Sequence, residues 1–270
     1  MESSCFGKDE NKKMNKKTMI VFTCLCIAIA IMDISGLPGV LLKINLADVD
    51  PYIIPLMINF LFIGILAIVI LRLFRIEYKF GFTTAGLGQG LKRYALPGVI
   101  AGILTFAAFF VGLYPFDYEP TLWKILIEGI LYYVGVAIVE EFYVRGLFLN
   151  VVETLSDKNV HKTEIAIVVS SVVFGLGHIP GMIGMGMGVI IFKVISTIGM
   201  GLYFGTIYKK TNNIWLPVIM HCFIDICALP YCFTLNMRYE TISLVILVIT
   251  YTVLSLYCGI VLAKGKCQLK

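Results

Sequence analysis

The chain has 270 residues, 59% of them hydrophobic and only 14% charged, with a formal net charge of +5. A soluble domain carries about a quarter charged residues, so a mean hydropathy of +0.91 excludes that class. A membrane β-barrel is also excluded, because its alternating segments of about ten residues are absent and the apolar residues run in long blocks.

The fold class expected is all-α: a polytopic membrane protein with about eight transmembrane helices around a polar intramembrane cavity. A basic tail over 1–17 precedes a first span at 18–42, which Gly36, Pro38 and Gly39 interrupt. Lysines followed by "AIA" at Ala28 to Ala30 resemble a secretory signal, but the apolar stretch continues past Ala30 and the span is read as retained. Further spans are expected at 52–72, 94–114, 121–150, 164–182, 186–208, 214–233 and 241–263, with a second tail at 264–270. The glycine-rich stretch "GMIGMGMG" softens the boundary between the fifth and sixth. No polar linker divides 18–263, so it is read as one transmembrane domain.

Lys and Arg sort by side. The tails and alternate loops collect 18 of the 22, and the opposite side receives only Lys43, Lys124 and Arg238. The positive-inside rule then puts both termini in the cytoplasm and the protein in the cell membrane as a multi-pass chain. This sorting also accounts for the positive charge, so no nucleic-acid partner is expected. The basic, aromatic loop from "FRIEYKFGF" to "LKR" is read as lying on anionic lipid of the inner leaflet. The eight cysteines form no CxxC pair and are read as packing residues.

Ionisable residues at membrane depth are costly and few: Asp33, Glu128, Glu140, Glu141, Arg145, His178, Lys193, His221 and Asp225. Helical spacing sorts them. Glu141 and Arg145 are four apart and can pair, while Glu140 is turned by about 100° and can face a cavity. His221 and Asp225 repeat the spacing, as do Phe174 and His178. Glu128, Asp33 and Lys193 are read as end-of-span or packing residues. Tryptophans at 123 and 215 sit near span starts, as interface aromatics do. The glycines of "GLYFG" have the spacing that lets helices approach closely.

"EEFYVRG" at 140–146, "FGLGH" at 174–178 and "HCFID" at 221–225 follow the order EExxxR, FxxxH, HxxxN/D. Together with "GLYFGTIYKKTNNIWLPVIMH" they resemble the CAAX-protease and bacteriocin-processing (Abi) family of intramembrane proteases, over about residues 121–228. The resemblance implies a peptide hydrolase similar to the CAAX prenyl proteases. It implies Glu140 as general base, His178 as its partner in activating water, and His221 with Asp225 at the oxyanion. Glu141 and Arg145 become structural or orienting residues. Asp225 stands where the eukaryotic prenyl-protein proteases have Asn. A carboxylate cannot donate unless protonated, so Asp225 is expected to pair with His221 and keep it oriented and cationic.

The chemistry is consistent with that reading. Amide hydrolysis needs an activated water, a proton shuttle and charge stabilisation. No serine or cysteine holds a motif position beside the histidines, which disfavours a covalent route. Two histidines and a carboxylate are also compatible with zinc, but the pattern lacks HExxH spacing, and no obligatory metal is expected. The expected partner is a peptide or lipid-anchored protein in the membrane; the oligomeric state is left open. The alternatives are a non-proteolytic interaction or bacteriocin self-immunity protein, and a proton relay. Depth poses a problem. At 1.5 Å per residue, Glu140 comes out about 28 Å along its span from Thr121, His221 about 10 Å and His178 about 21 Å along theirs. The fifth helix is therefore expected to protrude into the cytoplasm, with the site opening toward the cytoplasmic leaflet.

Overall fold

The computed structural model describes residues 43–73, 80–235 and 240–266, together with 17, 18, 21, 24, 25 and 28. The expected first span and Asp33 lie outside the described residues, apart from those few positions. Among the described residues the chain forms seven helices and no β-strand. They are α1 (Ile53–Leu73), α2 (Leu87–Leu113), α3 (Leu122–Leu155), α4 (Lys162–Leu176), α5 (Met187–Thr211), α6 (Trp215–Ile226) and α7 (Thr241–Lys266). Short 3-10 helices, Pro180–Met182 and Leu229–Phe233, extend α4 and α6. With those extensions, six of the helices are long and apolar enough to cross a membrane. The chain is a multi-pass helical membrane protein, and the six crossings correspond to the third through eighth expected spans.

Several boundaries differ from expectation for local reasons. Helix α2 begins at Leu87, not 94, because Gly86 takes the left-handed conformation (φ 72°) and turns the chain into the helix. Lys92 and Arg93, expected in a surface loop, are therefore on the first turns of α2. Helix α3 runs to Leu155 and is not uniformly α-helical: Ile127–Leu131 and Phe142–Leu149 are wound as π-helix. That wider winding rotates every side chain beyond it. Gly146 lies within the second π segment, where a Cβ would overlap the Phe80 ring.

Helices α4 and α5 pack tightly because Gly201 and Gly205 of "GLYFG" leave no side chain between them. A Cβ at these positions would stand 3.1 Å from Ser171 and 3.2 Å from Ile167. Trp215, the first residue of α6, packs on Phe142 with ring centroids 5.9 Å apart. Thr163, near the start of α4, donates to Glu153 at 2.7 Å. Phe142 and Glu153 are eleven residues apart on α3. The α3–α4 hairpin thus extends about 15 Å beyond the start of α6. This offset answers the depth problem: α4 starts farther out, so its far end comes level with the first half of α6.

Candidate active site

Three helices contribute the site. On α3, Glu141 is fully buried and its Oε1 accepts from Arg145 Nη1 at 3.0 Å, a spacing of four along the chain. Arg145, also fully buried, donates from Nη2 to the Gly201 carbonyl of α5 at 3.1 Å. Its guanidinium lies over the Phe174 and Phe204 rings, 4.4 and 5.4 Å from their centroids. The cation is thus held by a carboxylate, a carbonyl and two aromatic faces, which together offset much of its desolvation.

From α6, His221 reaches back to α3. Its Nδ1 lies 2.9 Å from Glu141 Oε1, and its Nε2 lies 3.2 Å from Asp225 Oδ2 and 3.7 Å from Glu140 Oε2. Three carboxylates therefore surround one imidazole. Carboxylates accept, so both ring nitrogens can donate to them only as the imidazolium. The Phe204 ring stacks on His221 at 4.7 Å and 27°, which fixes the plane of the imidazole.

His178 lies two residues beyond the end of α4. The last carbonyls of a helix have no partner within it. The His178 side chain supplies one, with Nδ1 2.8 Å from the Phe174 carbonyl oxygen. A carbonyl only accepts, so Nδ1 carries the proton and Nε2 is left with a lone pair. The Phe174 ring meets both imidazoles edge-on, His178 at 5.0 Å and His221 at 5.7 Å. Residues Glu140, Glu141, Arg145, His178, His221 and Asp225, placed on separate spans by the sequence, thus lie around one aromatic-walled cluster.

Some participants have no role assigned by the motifs. Phe204 and the Gly201 carbonyl lie in "GLYFG", part of the stretch that resembles the family, where spacing marks only helix packing. Glu141 holds His221 as well as Arg145, a double contact that depends on the winding of α3. Lys193, expected as a packing residue, lines a polar cavity of about 100 Å³ with Asp225. Among the described residues no set of three His, Cys, Asp or Glu side chains is disposed to hold a metal ion. His221 turns both nitrogens to carboxylates, whereas His178, with Nδ1 on a carbonyl, keeps its Nε2 lone pair open.

Residues 121–227 match the family model described as type II CAAX prenyl endopeptidase Rce1-like. Over that stretch the chain is similar to the Rce1-like family. The matched residues run from the N-cap of α3 to just past Asp225 and so contain all six residues of the cluster. No curated protein and no solved structure matches the chain. The Rce1-like family is one of CAAX-type proteases, in keeping with an acid–imidazole cluster inside a helical membrane protein.

Proposed function

We propose that the protein is an intramembrane endopeptidase that hydrolyses a peptide bond of a membrane-associated or lipidated peptide or protein. The observation that carries this reading is the meeting of Glu140, His221 and Asp225 with His178 across the Phe174 ring. Glu140 takes a proton from water, and His178 Nε2 accepts the water's other hydrogen bond. The hydroxide adds to the peptide carbonyl carbon. The developing oxyanion is stabilised by the imidazolium of His221, which Glu141 and Asp225 keep oriented and charged. On collapse the carbon–nitrogen bond breaks, and the proton on Glu140 passes to the leaving amine.

A groove of about 370 Å³ supports an apolar substrate anchor. It lies between α3 and α6, is lined by Val134, Ile138, Val218, Ile219 and Phe223 among others, and borders the helices that carry Glu140 and His221. The orientation proposed is with both termini cytoplasmic. Lys92, Arg93, Lys158, Lys162, Lys209 and Lys210 collect at helix ends that meet one another: Lys209 pairs with Glu153 at 2.7 Å, and a Cβ at Gly90 would touch Thr211. That end suits the anionic inner leaflet.

The test is cleavage by purified protein in liposomes, scanned against lipidated and unlipidated peptides. Glu140→Ala, His178→Ala and His221→Ala are each expected to lose about 100-fold or more in rate while remaining folded. Cleavage at the wild-type rate in all three variants would overturn the proposal and leave an interaction or immunity role. Comparing membrane proteomes of cells with wild-type protein and with Glu140→Ala identifies the substrate by a fragment that needs Glu140.

A further inference from the structure

The π-wound stretch Phe142–Leu149 follows directly on Glu141 and contains Arg145, so its winding sets how the two side chains are aimed. At its far end stands Asn150, which is 1% exposed and takes no part in the steps proposed above. In an α-helix the N–H of residue 150 would go to the Gly146 carbonyl, and in a π-helix to that of Arg145. The N–H of Asn150 does neither and goes to Leu147, three residues back. Its side chain reaches both carbonyls instead. Nδ2 donates to the Gly146 oxygen at 2.8 Å and to the Arg145 oxygen at 3.3 Å. The winding therefore ends on a side-chain amide that spans the two carbonyls between which α and π geometry choose.

The same amide ties α3 to α5. Nδ2 also donates to the Tyr208 hydroxyl at 2.9 Å. Lys209 Nζ, which can only donate, meets Oδ1 at 3.3 Å and so identifies the oxygen end of the amide. Gly201, Phe204 and Tyr208 are spaced three and four apart and share a face of α5. On that face the Gly201 carbonyl accepts from Arg145 and the Phe204 ring stacks on His221. Asn150 thus joins the winding that aims Glu141 and Arg145 to the helix that receives Arg145 and His221. We propose that Asn150 is a positioning residue: its amide holds the π winding of α3 and, through Glu141, holds the His221 imidazolium in place. The catalytic part of this role rests on the protease reading above; the link from Asn150 to His221 is readable without a cleavage assay.

The test compares Asn150→Thr with Asn150→Val. The two side chains have nearly the same shape, but a threonine hydroxyl in a helix donates to the carbonyl four residues back, here that of Gly146. Thr154 makes the same bond to the Asn150 carbonyl at 2.7 Å. The readout is NMR of purified protein in lipid nanodiscs with nitrogen-15 in its three histidines, and a His221→Gln sample assigns the signal. Wild type is expected to show a strongly downfield imidazole proton for His221, because Nδ1 lies 2.9 Å from Glu141 Oε1. Asn150→Thr is expected to keep that resonance, and Asn150→Val to lose it while the His161 signals stay in place. In cleavage assays kcat is expected to fall about 10-fold or more in Asn150→Val and to stay within about threefold of wild type in Asn150→Thr. KM is expected to change little, because the groove residues lie before Glu141 on α3 or on α6. If Asn150→Val does not fold, a folded Asn150→Thr with the wild-type resonance carries the same meaning. Absence of the resonance from wild type overturns the inference, as does a folded Asn150→Val that keeps it or keeps the wild-type kcat. An Asn150→Thr that loses the resonance or does not fold overturns it too. Absence of cleavage by wild type would overturn the protease proposal and leave the link from Asn150 to His221 standing.

Discussion

Glu140 and Glu141 are adjacent in the chain and meet different surroundings. Glu141 has no exposure and lies between Arg145 and His221, whereas the Glu140 side chain keeps 16% of its exposure. The first is bound into the bundle; the second keeps an open side, as its proposed role as base requires. Two predictions follow from that contrast. Arg145→Met leaves the Glu141 carboxylate with only His221 as its partner and is expected to cost about 3–5 kcal/mol, measured as loss of the folded fraction on thermal or denaturant titration. Arg145→Lys is expected to recover little, because an ammonium cannot reproduce the planar contacts to Glu141, the Gly201 carbonyl and the two rings together. Glu140→Gln removes a base at nearly constant shape. It is expected to change stability by less than about 1 kcal/mol while cleavage falls by about 100-fold or more, a split read from melting curves and turnover of the same preparations.

At the scale of elements, the site depends on how closely α4 and α5 pack and on where α4 and α6 stop. A Cβ at Gly201 would lie 3.1 Å from Ser171 and 3.2 Å from Arg145 Nη2. Gly201→Val is therefore expected to separate α4 from α5, displace Arg145 and destabilise by about 1–3 kcal/mol. Gly181→Ala, with open space around it, is the matched control and is expected to leave the melting midpoint unchanged. Helix α4 ends at Leu176 and α6 at Ile226, each shortly before a proline, Pro180 and Pro230. A proline has no N–H for the carbonyl four residues back, here Leu176 and Ile226, and its ring crowds that carbonyl, so both stops have a local cause. Much of this was legible in the sequence. The apolar runs marked the crossings, and spacings of four marked Glu141 with Arg145 and His221 with Asp225. The π winding at Phe142–Leu149 was not legible, because no residue type encodes it; it follows from packing such as Phe80 against Gly146. The stacking of Phe204 on His221 was hidden for a related reason: it joins residues seventeen positions apart on different helices.

At the scale of the whole molecule, the offset between the α3–α4 hairpin and α6 brings the three motifs level. The sequence motifs predicted that they meet; the unequal helix starts explain how. The basic helix ends gathered on one side give the orientation a direct test. A reporter fused after Lys270 is expected to be active only as a cytoplasmic form, and the opposite result would invert the proposed topology. Helix α6 has only 12 residues, about 18 Å, against the roughly 30 Å of a bilayer interior. Its crossing is completed by a turn and a short 3-10 segment, Leu229–Phe233. Irregular backbone at such depth is tolerated where protein encloses it or where moisture reaches it. Amides over 227–233 are accordingly expected to trade their hydrogens for deuterium well ahead of those in α5. The break in regular backbone just past Asp225 would then be the place where the bundle is leakiest.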